Sequence, residues 1–148
     1  MKLPRIALIL IVGGLVLAAC ASSGVEKPAA PAAADLTRSD AQGNVTVEIK
    51  PENLSQPEGS LVFDVAMNTH MVDLSMDLAK LAALSTDGGQ TVQAMQWDAP
   101  KGGHHVSGKL IVPAVVNGKP ILDGASSITL TIKDVDAGER LFTWKLTH

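Results

Sequence analysis

The side chains best able to do chemistry fall in two short stretches. In the first, Met67 stands three residues before His70, which Met71 follows directly. In the second, 34 residues on from His70, Gly102-Gly103 precedes His104-His105. Imidazole with thioether suits copper, imidazole with a carboxylate such as Asp73 or Asp98 suits zinc, and neither set suits calcium or magnesium. If the stretches meet in space, His70, His104 and His105 supply three nitrogens and Met67 or Met71 a sulfur. Glycines before the second histidine pair would let that loop approach a ligand closely. The competing expectation is structural: His70 hydrogen-bonded at a bend, His104 and His105 solvated, Met67 and Met76 filling the core. No HExxH or CxxC spacing decides between the two.

Catalytic readings find less support. The chain has no Gly-x-Ser-x-Gly elbow, Ser-x-x-Lys pair, phosphate loop or dinucleotide fingerprint. A His70–Asp73 pair would need a nucleophile or metal to act on a substrate, so the chain is expected not to be an enzyme. Asp134 and Asp136 flank a turn, where carboxylates commonly cap backbone amides; calcium binding there is the minor alternative. Asn44-Val45-Thr46 and Asn53-Leu54-Ser55 match glycosylation acceptors. The terminal His148 is assigned no role.

The single cysteine is different in kind. Lys2 and Arg5 precede an uncharged run from Ile6 to Leu17, and Ala18-Ala19-Cys20 follows. Charge, apolar stretch and small residues in that order form the layout of a secretory signal peptide. Twelve apolar residues rise only about 18 Å as a helix, short of the ~30 Å hydrocarbon core, so a permanent span is the weaker reading. Leu17-Ala18-Ala19-Cys20 resembles the lipobox of bacterial lipoproteins, which implies cleavage before Cys20 and acyl chains on its thiol. One chain holds a protein to a bilayer only reversibly and two or three hold it durably. The resemblance implies a cell-envelope location, and Ala21 after the cysteine favours the outer membrane over the inner. A lone cysteine also excludes an intramolecular disulfide.

Residues 21–43 contain seven alanines, Pro28 and Pro31 but no apolar alternation. That composition predicts a disordered linker, with a helix over 31–40 as the alternative. The expected organisation is a signal peptide over 1–19, lipidated cysteine and linker over 20–43, and one domain over 44–148. Without Lys2 and Arg5, the 12 Lys and Arg fall to ten against 15 Asp and Glu, a balance of −5. With two Phe, two Trp and no basic cluster, such a chain has little to offer a nucleic acid.

The elements that must carry the histidines read as strands. Val45, Val47 and Ile49 alternate with polar residues, as do Val72 to Leu78, Ile128 to Ile132, and Phe142 to Leu146; Leu61, Phe63, Val65 and Met67 recur at the same spacing of two, and Leu110 and Val112 share one face. Turn chemistry separates them at Asp87-Gly88-Gly89, Asn117-Gly118 and Asp136-Ala137-Gly138. The inward parity changes between Met67 and Val72, which predicts a bulge or bend near Asn68 and Thr69. Asp77 would cap a short helix carrying Leu78, Leu81 and Leu84. The pattern predicts an all-β fold, an immunoglobulin-like antiparallel β-sandwich of about seven strands with one short helix.

Thr69-His70-Met71-Val72-Asp73-Leu74, Trp97, the run from Gly102 to Leu110, and Trp144 together resemble a family of small exported prokaryotic β-sandwich proteins without established activity. The resemblance spans Val45 to Leu146 and implies the sandwich fold; it singles out the same histidines. The chain does not fit the His-Met spacing of periplasmic copper chaperones. Two functions are therefore expected: a membrane-anchored module holding copper or zinc through His70, His104 and His105, or a structural envelope lipoprotein that contacts a protein partner and binds no ligand.

Overall fold

The computed structural model describes residues 35–147, which belong to one compact unit. The expected signal peptide, Cys20, residues 21–34 of the expected linker, and His148 lie outside the described residues.

Eleven strands and one helical turn follow in chain order: β1 (Arg38–Gln42), β2 (Val45–Pro51), β3 (Ser60–Thr69), α1 (Leu78–Leu81), β4 (Ala82–Thr86), β5 (Thr91–Gln93), β6 (Gln96–Asp98), β7 (His105–Pro113), β8 (Val115–Val116), β9 (Lys119–Pro120), β10 (Ser127–Lys133) and β11 (Glu139–Lys145). One sheet has the order β1-β2-β3-β7-β6 and the other β11-β10-β4-β5, with β8-β9 a separate ribbon. Every paired neighbour is antiparallel. The fold is thus the all-β antiparallel sandwich that the alternation predicts, with more strands than the seven expected, several of them only two or three residues long.

Alternation sets which face each strand buries. Along β3, Leu61, Phe63, Val65, Met67 and Thr69 point inward and the even-numbered residues outward. Their inward partners are Val47 and Ile49 of β2 and Val106, Leu110 and Val112 of β7. Leu84, Leu130, Ile132, Phe142 and Trp144 meet them from the second sheet. Phe63 and Trp144 touch across the layers, with ring centroids 5.6 Å apart and planes at 43°. Such a pair adds about 0.5–1.5 kcal/mol beyond its buried area.

Two arrangements, one of side chains and one of backbone, close the sandwich. On one side β1 lies beside β11: the fully buried Arg140 donates to Asp40 O and Gln42 O, and its Nη1 lies 2.5 Å from Asp40 Oδ1. Trp144 Nε1 donates to Leu36 O at 2.6 Å. On the other side the chain passes from β5 to β6 through Ala94 and Met95, whose N–H groups bond to Ala82 of β4 and Ile111 of β7.

Several expectations need correction. Residues 38–42, read as linker or helix, form β1; it pairs along its length with β2 and is fastened to β11 by Arg140, with no apolar face of its own. Of the two devices expected to absorb the parity change, the structure uses the bend: β3 keeps its parity through Thr69 and the change falls in the residues that follow. The alternating run from Val72 forms no ladder. Asp77 does cap α1, its carboxylate accepting from Ala79 N at 3.1 Å, but the helix stops at Leu81. Leu84 belongs to β4, where Ala82, Leu84 and Thr86 alternate inward opposite β10. The three turns form where their residues predict, Asn117 and Gly118 with φ of 52° and 76°.

Candidate functional site

The end of β3 and the start of β7 are neighbours in the first sheet. Asn68 pairs with His105 in register, and both point outward because Met67 and Val106 point inward. His105 Nδ1 lies 2.9 Å from Asn68 Oδ1. An amide oxygen only accepts, so Nδ1 carries the proton and the lone pair of His105 sits on Nε2. The His70 ring lies beside it, with centroids 6.0 Å apart and planes at 83°. Both imidazoles are exposed.

Two loops hold this pair in place. Thr69 is buried, its N–H donates to His104 O at 2.9 Å, and its Oγ1 accepts from Met71 N and Val72 N. That hydroxyl ties the bend carrying His70. Leu74 N donates to Gly103 O, Gly102 N to Leu74 O, and Gly103 N to Asp73 Oδ1 at 2.7 Å. Gly102 and Gly103 both adopt positive φ, 81° and 105°. A Cβ on Gly102 would stand 3.1 Å from Asp73 Oδ1. The two glycines thus serve a tight turn against Asp73, where the sequence suggested close approach to a ligand. The Gly103 amide is the main cause that holds the Asp73 carboxyl below its ordinary pKa; Ser75 and the charge of His104 add to it.

The five residues expected to bind metal separate into groups. His70 and His105 come together. His104 adjoins them through its backbone bond to Thr69, and its imidazole lies within electrostatic reach of Asp73. Met71 follows His70 and is 76% exposed. Met67 must be withdrawn as a ligand: it is fully buried on the inward face of β3, opposite to the face that carries the histidines. Asp98 pairs with Lys109 on β6, four residues along β7 from His105. Among the described residues, no group of three or more His, Cys, Asp or Glu is arranged to hold a metal ion. The three-imidazole set that the sequence suggested is therefore not assembled within the chain.

Sequence reasoning missed Asn68. Its spacing of two from His70 hints at a shared face, but the partnership with His105 depends on the β3–β7 register. The acceptor-like Asn53 is structural, its amide bonding the backbone of Ser60 and Val62 at 2.9 Å. Asp136 likewise serves the backbone, accepting from Asn44 N at 2.5 Å.

Two surface clefts lie elsewhere. One, of about 270 Å³, sits on the outer face of the first sheet over Ala66 and Ser107, walled by Glu48, Lys50 and Asp64. The other, of about 190 Å³, lies against the second sheet between Lys80, Gln93 and Lys133. Neither includes a histidine. Beside the first, Lys109 bridges Glu52 and Asp64 at 2.5 Å each, which lowers the Asp64 pKa and raises that of Lys109. Among the described residues no helix is long and apolar enough to cross a membrane.

Comparison with protein-family models, curated proteins and solved structures found no match.

Proposed function

We propose that the chain is a lipid-anchored protein of the bacterial cell envelope whose β-sandwich binds a transition metal ion through His70 and His105. The anchor rests on the lipobox-like Leu17-Ala18-Ala19-Cys20 behind its apolar run, and Ala21 favours the outer membrane. The metal reading rests on one observation, the spacing of the two rings. A metal about 2.05 Å from each ligating nitrogen lies about 3.2 Å from each ring centroid, so two imidazoles on one ion have centroids about 5.2 Å apart at a tetrahedral angle and about 6.4 Å apart in a line. The 6.0 Å between His70 and His105 falls in that span.

Asn68 strengthens the reading. Histidine ligands characteristically give their second ring N–H to a fixed acceptor, which sets the tautomer and ring orientation. Asn68 Oδ1 does this for His105 and leaves Nε2 free to ligate. Two nitrogens leave other coordination positions open. Met71 offers a soft sulfur next to His70, a set that suits copper, while a nitrogen-only site suits zinc. The module binds and does not catalyse.

Calorimetric titration of the detergent-solubilised lipoprotein with copper and with zinc tests the site. Binding lost in both His70→Ala and His105→Ala supports it, whereas no binding by the unaltered protein removes it and favours the ligand-free interaction module. Mass spectrometry of the mature amino terminus tests the anchor, since an unmodified Cys20 thiol contradicts it.

A further inference from the structure

The metal reading leaves the site incomplete. A closed zinc site takes four ligands in a tetrahedron, drawn from Cys, His, Asp and Glu. His70 and His105 provide two, and among the described residues no third side chain of those types joins them. The backbone of the His104 loop is pinned by Thr69 and Leu74, and Asp73 is engaged with Gly103. These bonds fix where His104 and Asp73 leave the chain, and neither side chain is grouped with the pair for an ion.

We infer that a second copy of this chain completes the site, with His70 and His105 of each copy giving the four nitrogens around one zinc ion on a two-fold axis, the exposed rings closing from 6.0 Å toward the about 5.2 Å of the tetrahedral angle. This rests on the proposal that the pair binds metal, and adds the partner. Three features of the chain fit it. Both rings are exposed, His105 on the outer face of β7 and His70 on the bend beside it. A two-fold contact is self-complementary, so one half-site of two ligands becomes four without any further binding residue. Met71, 76% exposed beside His70, would lose its water contact in the same encounter. The balance of −5 on the mature chain opposes the meeting of free copies, which a shared cation offsets.

The test uses the full-length lipoprotein in detergent, made in two differently tagged forms within one cell, with zinc as the probe. The expected result is a stoichiometry of half an ion per chain, with co-capture of the tags that requires zinc and is reversed by chelator. His105→Ala removes two of the four nitrogens at once, and should lower zinc affinity by at least about tenfold, together with co-capture. His70→Ala should do the same, and neither exposed residue carries the fold. One ion per chain without co-capture, or co-capture indifferent to chelator and to both substitutions, overturns the two-copy site while the metal reading stands. No zinc binding at all overturns both.

Discussion

Arg140 and Asp40 lie a hundred residues apart in sequence and 2.5 Å apart in space, and the guanidinium is fully buried. Every other bond of that guanidinium goes to a backbone carbonyl, of Val135, Asp40 or Gln42. One side chain thus fastens the first strand of one sheet to the last strand of the other. It also neutralises itself only through Asp40, because a buried cation without its counter-ion is costly.

Asp40→Ala should therefore destabilise the domain by about 3–5 kcal/mol, the range for breaking one side of a buried pair. Urea unfolding followed by tryptophan fluorescence measures it, since Trp144 sits beside the same seam. A loss of only a few tenths would mean that carbonyls alone satisfy Arg140.

Gly43→Ala tests the turn that follows β1. Gly43 has φ of +58°, and a Cβ there would run into the backbone carbonyl and the carboxylate of Asp136. Left-handed strain and the clash act together, for a predicted loss of about 1–2 kcal/mol or more. Gly59→Ala is the control, because its φ of +81° carries strain while its Cβ meets nothing within 4 Å. The clash predicts the larger loss at Gly43.

Asn68→Ala should weaken metal binding by roughly 10–100-fold, the usual consequence of removing the partner that orients a histidine ligand. The fold should lose little, since Asn68 lies on the outer face. Titration of variant and unaltered protein under one buffer condition decides it, and equal affinities would remove Asn68 from the site.

Asp73 gives the histidine loop an acid limit. Its pKa is lowered in the folded chain, chiefly by the Gly103 amide, so the contact stabilises the fold above the ordinary carboxylate pKa and is lost as pH falls through the lowered folded value. Hydrogen exchange at the Gly103 amide, corrected for its intrinsic pH dependence, should speed up across that acid range. In Asp73→Asn, whose amide oxygen still accepts but does not titrate, the acid step should be gone.

Strands with an apolar face were legible because burial on one side writes period two into the sequence, as in β2, β3, β7, β10 and β11. Strand β1 was not, since Arg38-Ser39-Asp40-Ala41-Gln42 has no such face; it pairs with β2 and is fastened by Arg140, a hundred positions from Asp40. The run from Val72 misled for the opposite reason: alternation reports which side is buried, and Leu74 is buried without a neighbouring strand. At the site, the histidines could be read from residue type and the bend from the parity change. The contact between His70 and His105 could not, because it exists only through the pairing of Asn68 with His105. Met67 was misassigned by nearness in sequence, though its odd number placed it with Leu61, Phe63 and Val65.

The β5–β6 passage and the β1–β11 seam have a common effect on how such molecules meet one another. The rims where a foreign backbone would zip on are three residues long on one flank and plugged by arginine and tryptophan on the other. Crowding many copies together therefore does not by itself invite fibre-like stacking, and recognition is left to the outward chemistry of individual side chains.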